Sequence, residues 1–139
     1  EISACLVGSE MCIRDRFKTR VAAVRDLPAN TPVSYGCTGQ VGAEGGRMAV
    51  LPVGYADGLH RVLSNQGSVW LAGKTRPILG RVCMDMCMVA LDEDAQVEPG
   101  DEAEIFGSHL PAEVQAELAG TIQYELLCAV SPRVPRVYV

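Results

Sequence analysis

Glycine and proline interrupt this chain so regularly that it has room only for short elements of secondary structure. The 139 residues include 14 Gly and 8 Pro, which are spread along the chain. Both residues disfavour the interior of helices and strands and favour turns. The segments between the turns are short and apolar, as at residues 48–53, where a nearly continuous apolar run is typical of a strand buried on both faces. This spacing predicts a mainly β domain, either a barrel or a sandwich.

Several further segments have the apolar content of strands. Residues 67–71 and 76–79 flank an Ala-Gly-Lys turn and are typical of a hairpin. Residues 17–24 predict a strand, and residues 102–106 predict another. In residues 102–106 the acidic side chains alternate with Ala, Ile and Phe, so we expect the acidic face to be in contact with water.

Only residues 111–127 predict helices, and both helices are short. Pro111 suits a first-turn position, and Ala119-Gly120 is a typical helix end. Thr121 is expected to cap a second helix that continues through Leu127. The predicted fold is therefore a β-barrel or sandwich with one or two short helices.

Composition argues against several classes of partner. The net charge of −5 gives no reason to expect nucleic acid or an anionic membrane. No apolar run approaches the roughly 20 residues that span a bilayer. The six cysteines form no CxxC or metal-ligand spacing, and the two histidines lie far apart. We therefore expect reduced thiols, a cytoplasmic protein and no metal site.

The first sixteen residues, EISACLVGSEMCIRDR, differ from the rest of the chain. They show neither strand alternation nor helical periodicity, and they resemble the translated read-through of a sequencing-library adapter. We expect residues 1–16 to be non-native and exclude them from the fold, whereas a genuine but poorly ordered terminus is the alternative. On the first interpretation the native protein extends further upstream, and residues 17–139 are one domain of it.

Four motifs follow one another in the remainder of the chain. They are VSYG at residues 33–36, GYADG at 54–58 with Arg61 shortly after, GRVCMD at 80–85, and AGTIQYE at 119–125 followed by RVPR at 133–136. In this order and at this spacing they resemble the C-terminal domain of bacterial alanine racemases. The resemblance extends from residue 17 to residue 139.

The resemblance implies a pyridoxal-phosphate enzyme that interconverts L- and D-alanine. In this family an N-terminal (β/α)8 barrel holds the cofactor on a lysine, and the C-terminal β domain of the partner subunit of a homodimer closes over it. The two lysines of this chain, Lys18 and Lys74, fall in segments read as strand edge or turn, outside any context resembling the family's cofactor lysine. We therefore expect that lysine to lie outside this chain, and the chain alone to be inactive.

The resemblance also implies roles for particular residues. Tyr35 corresponds to the base that accepts the α-proton of the L enantiomer. A phenol has an ordinary pKa of about 10 and needs a nearby cation to act near neutrality, but no cation is adjacent to Tyr35 in sequence. The backbone N–H of Met84 corresponds to a contact with the substrate carboxylate, and the hydroxyl of Tyr124 to a contact with the cofactor phosphate.

A third group corresponds to the substrate entryway, where arginines attract and orient a carboxylate. Its members are Tyr55, Arg61, Arg81, Asp85 and Ile122. Two positions depart from the family pattern: Gln123 stands where asparagine is more usual, and Cys37 replaces an arginine that is common two residues after the base.

Simpler structural roles and two other functions are open from the sequence. Tyr35 also suits a half-buried strand position, Met84 a core position, and the charged entryway residues surface salt bridges. The chain also resembles in architecture the β domain of barrel-type amino-acid decarboxylases, which carry a Cys-Asp-Ser-like motif near the position of Cys83. A third possibility is a non-catalytic module that dimerises or binds a partner, which the missing cofactor lysine supports.

Overall fold

The computed structural model describes residues 2–3 and 15–138 of the chain. Apart from residues 2–3 and 15–16, the segment predicted to be non-native lies outside the described residues, so that interpretation stays a prediction. No helix of the described residues is both long and apolar enough to cross a membrane.

The described residues form eleven strands and two α-helices. In chain order these are β1 (Ile2–Ser3), β2 (Phe17–Arg20), β3 (Ala23–Leu27), β4 (Pro32–Val33), β5 (Gly39–Gln40), β6 (Gly46–Leu51), β7 (Ser68–Leu71), β8 (Lys74–Pro77), β9 (Cys87–Leu91), β10 (Glu102–Phe106), α1 (Ala112–Ala119), α2 (Gln123–Ala129) and β11 (Arg136–Val137). Short 3-10 turns occur at Tyr35–Cys37 and Arg61–Leu63. The prediction of a mainly β domain with two short helices is confirmed.

The strands form three sheets. The largest has the order β11-β1-β2-β10-β7-β8, the second has the order β3-β6-β9, and the third is the hairpin β4-β5. Neighbouring strands are antiparallel except for the parallel pair β1 and β11. The sheets do not close into a barrel.

The strand predicted over residues 17–24 is divided between two sheets. The N–H of Val21 donates to the carbonyl of Asp101 at 2.9 Å, next to β10, whereas the N–H of Ala22 donates to the carbonyl of Val50 in β6 at 2.9 Å. One residue therefore bonds toward each sheet, and β2 ends where β3 begins. The apolar content of residues 17–24 does not indicate that the chain passes from one sheet to the other at Val21 and Ala22.

The prediction that the acidic face of β10 lies in water is wrong at Glu104. Its side chain is buried, and one carboxylate oxygen accepts the N–H groups of His109 at 2.8 Å and Leu110 at 3.0 Å. A Cβ atom on Gly107 would lie 2.6 Å from the carboxyl carbon of Glu104. The loop after β10 thus folds back over the carboxylate of Glu104. Its backbone N–H groups take the place of the water molecules that would otherwise donate hydrogen bonds to this carboxylate.

The two helices are separated where the sequence indicated, but Thr121 does not cap the second. Gly120, with a φ of 72°, ends α1. The residue before α2 is Ile122, and it provides no side-chain cap. The hydroxyl of Thr121 donates instead to the carboxylate of Glu125 at 2.8 Å. The side chain of Gln115 joins α1 to the strands, because its amide donates to the carbonyls of Ser68 and Ile105.

Two apolar clusters hold the sheets and helices together. The main core includes residues of the two larger sheets that are almost fully buried, such as Leu51, Val69 and Ile105. The smaller cluster centres on Val33, Cys83 and Met88. Because Val33 ends β4 and Cys83 lies in the loop before β9, this smaller cluster fixes the β4-β5 hairpin against that loop.

Glu104 should make the stability of the fold depend on pH. Burial alone would raise the pKa of Glu104, but hydrogen bonds from His109 and Leu110 hold that pKa below its ordinary value. A lowered pKa in the folded state contributes stability above the unfolded-state pKa, and that stability is lost as pH falls through the folded-state pKa. We expect Glu104→Gln to lower the free energy of unfolding by about 1 to 3 kcal/mol at neutral pH.

Urea denaturation between pH 7 and pH 3 tests this. The difference between Glu104→Gln and the parent chain should shrink as the pH falls. Glu98→Gln, at an exposed position, is the control and should follow the parent at every pH. A constant difference across the range would contradict the role of the ionised Glu104 carboxylate.

Candidate functional site

Tyr35 lies at the tip of the β4-β5 hairpin. Val33 of β4 pairs with Gly39 of β5, so residues 34–38 form the connecting loop. Tyr35 begins the 3-10 turn of this loop, and 71% of its surface is exposed. The half-buried strand position considered from the sequence is therefore wrong, and the phenol is accessible.

The hairpin tip has an unusual backbone. Ser34, Gly36 and Cys37 have φ values of 68°, 69° and 52°. Positive φ is ordinary for Gly but uncommon for Ser and Cys. The N–H of Cys37 closes the turn by donating to the carbonyl of Ser34 at 3.2 Å. Tyr35 is thus held between residues with uncommon backbone angles.

Contacts with residues 79–80 hold the base of the hairpin tip. A Cβ atom on Gly39 would lie 2.6 Å from the backbone nitrogen of Gly80, so β5 and the loop after β8 approach backbone to backbone. The side chain of Asn65 bridges both segments, because it accepts the N–H of Gly80 at 2.7 Å and donates to the carbonyl of Thr38 at 3.1 Å. The position of Tyr35 is therefore set by segments distant in sequence.

Met84 lies opposite Tyr35 on a tight turn. The N–H of Cys83 donates to the carbonyl of Met86 at 2.9 Å, which places Met84 at the tip of the turn. Met84 is 53% exposed, so the core position considered from the sequence is wrong. A groove of about 430 Å³ is lined by Ser34, Tyr35, Cys83, Met84, Asp85, Met86 and Met88.

The backbone N–H of Met84 is free to bind a ligand. No group among residues 15–138 accepts a hydrogen bond from it, while its carbonyl accepts the N–H of Ala56 at 3.0 Å. An unpaired N–H beside a groove is a donor suited to an anionic group such as a carboxylate.

The GYADG segment packs directly on the Met84 turn. The N–H of Tyr55 donates to the carbonyl of Cys83 at 3.0 Å. A Cβ atom on Gly54 would lie 2.2 Å from the same carbonyl oxygen, so no other residue fits at this position. Asp57 closes the segment by accepting the N–H of Gly54 at 2.8 Å. The backbone of Tyr55 is therefore fixed against the Met84 turn.

Arg133, in the RVPR motif, connects two of these loops. Its guanidinium is 2.7 Å from a carboxylate oxygen of Asp57 and 2.5 Å from one of Asp85. Hydrogen bonds to Asp57 and then to Asp85 raise the pKa of Arg133 above its already high ordinary value. Asp85 thus takes part in a surface salt bridge. The sequence motif included Arg133 but did not indicate its partners. Only the fold shows that Arg133 bridges Asp57 and Asp85.

Arg81 lies beside the turn that carries Tyr35. A Cβ atom on Gly36 would be 3.5 Å from Nε and 3.7 Å from a terminal nitrogen of the Arg81 guanidinium. The Nε atom is buried and has no hydrogen-bond partner. The sequence offered no cation next to Tyr35, but the fold brings this one to its turn across 45 residues of chain.

The remaining candidates lie apart from this cluster. Arg61 is exposed in its 3-10 turn, and Ile122 and Tyr124 are exposed at the start of α2. Within residues 15–138 no side-chain hydrogen bond joins these three to the groove. The other end of α2 approaches the site, because the N–H of Ser131 donates to the carbonyl of Asp57 at 3.0 Å. The structure thus brings together Tyr35, Tyr55, Arg81, Met84 and Asp85.

Comparison with known proteins places this arrangement in a family. The family described as "Alanine racemase, C-terminal domain" matches residues 15–138. The alanine racemase of Carboxydothermus hydrogenoformans is 49% identical over 127 residues, which cover 88% of this chain and 34% of that protein. The chain therefore spans about a third of the length of this curated relative.

Solved structures agree with the sequence comparison. The crystal structure of alanine racemase from D-cycloserine-producing Streptomyces lavendulae superposes with a TM-score of 0.85 at 41% identity, covering 90% of this chain and 33% of that one. The Bartonella henselae alanine racemase, solved with covalently bound pyridoxal phosphate, superposes with a TM-score of 0.85 at 32% identity, covering 90% and 35%. The chain belongs to the alanine racemase family, in which it corresponds to the C-terminal domain.

Proposed function

We propose that this domain supplies one half of the active site of an alanine racemase, with Tyr35 as one of two catalytic bases. The observation that carries the proposal is the groove in which an exposed phenol faces a turn with a free backbone N–H. L- and D-alanine are the proposed substrates. The proposed active form is a cytoplasmic homodimer in which each groove is covered by the partner subunit.

Racemisation requires that a proton leave one face of the α-carbon and return on the other. Bound pyridoxal phosphate supplies an electron sink for the carbanion. Tyr35 accepts the α-proton of L-alanine and returns a proton on the same face in the reverse direction, while a base outside this chain serves the opposite face. The guanidinium of Arg81 lies beside the turn that carries Tyr35 and attracts the substrate carboxylate toward it.

The Met84 turn orients the substrate in this proposal. Its free N–H donates to the alanine carboxylate and fixes the α-carbon relative to Tyr35. The turn is held from two sides, by the N–H of Ala56 on the Met84 carbonyl and by Arg133 on Asp85. Rigid support of this kind is what a positioning contact requires.

The chain offers one group suited to the cofactor phosphate. Tyr124 is 52% exposed, and no group among the described residues bonds its hydroxyl, so that hydroxyl can donate to a phosphate oxygen. The proposed entryway of the assembled enzyme includes Tyr55, Arg61, Arg81, Asp85 and Ile122, of which Arg61 and Ile122 lie apart from the groove in this domain. Their arginines attract a carboxylate, which is the group that alanine presents.

The site gives no support to the other two functions considered. Cys83 is buried, and its thiol lies 3.6 Å from the hydroxyl of Ser34 and from the carbonyl of Arg81. Although Cys83 lines the groove, its thiol is buried against Ser34 and Arg81, so it is not an accessible reactive group. A non-catalytic binding module would have no need for a phenol and a free N–H facing each other.

Tyr35→Phe tests the base directly. Activity is measured in a chimera that joins the N-terminal two-thirds of the Carboxydothermus hydrogenoformans relative to residues 17–139 of this chain. We expect racemisation to fall by about 10²- to 10⁴-fold in both directions, since the overall equilibrium constant is unchanged. Exchange of the α-proton of L-alanine with deuterated solvent should fall equally, whereas exchange of D-alanine should persist through the opposing base.

Tyr138→Phe is the matched control, because Tyr138 is 72% exposed, close to the 71% of Tyr35. It should leave every rate unchanged. Loss of D-alanine exchange together with L-alanine exchange in Tyr35→Phe would assign the tyrosine a general structural role, and unchanged racemisation would remove it from the mechanism.

The chain alone should be inactive. With pyridoxal phosphate and L-alanine, the 139-residue chain is expected to form no more D-alanine than the cofactor forms by itself, because the opposing base is not part of it. The measurement is a chiral assay of D-alanine, with the chimera as the positive control. D-alanine formation above the cofactor background would refute the half-site proposal.

A further inference from the structure

Ser34, the residue before the proposed base, has a backbone conformation suited to glycine. Its φ is 68° and its ψ is 178°. A side chain in this region collides with its own backbone, so residues other than Gly almost never adopt it. Such outliers persist only where surrounding contacts hold them, and they concentrate at functional sites.

The hydroxyl of Ser34 makes contacts that glycine could not make. It donates to the carbonyl of Arg81 at 2.7 Å and lies 3.6 Å from the thiol of Cys83. Its Cβ atom also fills the space left by Gly80, where an added Cβ would come within 2.6 Å of it. The side chain of Ser34 is therefore packed against residues 80–83 on the far side of the groove.

These contacts join the two walls of the groove. Within residues 15–138 the hydrogen bonds of Ser34 are the only ones that connect residues 34–38 directly with residues 81–86. Ser34 is bonded covalently to Tyr35, and Cys83 is bonded covalently to Met84. A single hydroxyl thus links the proposed base to the proposed carboxylate-binding turn.

We propose that Ser34 is a positioning residue that fixes Tyr35 relative to the Met84 N–H. This inference rests on the proposed function. The hydrogen bonds of the Ser34 hydroxyl to Arg81 and Cys83 offset the backbone strain, because the hydroxyl reaches both partners from this conformation. Proton transfer depends steeply on distance, so a displacement of about 1 Å lowers the rate by about 100-fold.

Ser34→Gly separates this role from a contribution to folding. Glycine removes the hydroxyl and also relieves the strain, so in the chimera the melting temperature should stay the same or rise. The kcat for racemisation should nevertheless fall by about 10- to 100-fold. KM for alanine should change little, because the Met84 turn is held independently by Ala56 and Arg133.

Ala72→Gly is the matched control. Ala72 is also a non-glycine residue with positive φ, 51°, but it lies in the turn between β7 and β8. It should show the same neutral or favourable effect on melting temperature, with kcat unchanged. An equal loss of kcat in Ala72→Gly would attribute the effect to flexibility in general and overturn the inference.

A double variant shows whether Ser34 acts through Tyr35. In a Tyr35→Phe background, adding Ser34→Gly should lower the remaining rate by less than twofold, because the group that it positions is already gone. A full additional 10- to 100-fold loss would overturn the positioning role. A kcat of Ser34→Gly within twofold of the parent would overturn it as well.

The same variants distinguish the inference from the proposed function on which it rests. If Tyr35→Phe abolishes L-alanine exchange while Ser34→Gly leaves it intact, Tyr35 keeps its role and the inference about Ser34 is wrong. If Tyr35→Phe has no effect, the proposed function itself fails, whatever Ser34→Gly does.

Discussion

The site depends on a backbone contact that leaves no space for a side chain. Gly54 lies so close to the carbonyl of Cys83 that an added Cβ would be 2.2 Å from it. This approach lets the N–H groups of Tyr55 and Ala56 reach the carbonyls of Cys83 and Met84. The Met84 turn is consequently held by its carbonyl oxygens, which leaves its N–H available.

The ion pairs of Arg133 orient the loops that carry Asp57 and Asp85, and they contribute little to the stability of the fold. The side chain of Arg133 is 49% exposed and that of Asp85 is 52% exposed. Ion pairs between exposed side chains contribute little to folding, because water screens them. Asp57 is more protected, and its second oxygen already binds the N–H of Gly54. One arginine after α2 therefore orients two loops that meet at the groove.

Local sequence signals predicted the elements whose determinants are local. The turn residues around Gly73 and the break at Gly120 located the β7-β8 hairpin and the end of α1, and the motif order pointed to Tyr35 and Met84. The change of sheet at Val21 and the burial of Glu104 depend on partners distant in sequence, as does the approach of Arg81 to Gly36. Neither periodicity nor composition records such long-range contacts, so these features required the fold.

The exposure of the groove bears on the proposed half-site, because water weakens the contacts that this domain would make with a substrate. A hydrogen bond from the Met84 N–H to a carboxylate gains little in water, because water competes for both partners. Covering the groove with a second protein surface lowers the local dielectric constant and strengthens that bond. Arg81 is the cation that the described fold brings against the turn of Tyr35. The attraction between this guanidinium and an anionic group in the groove also strengthens when a covering surface excludes water.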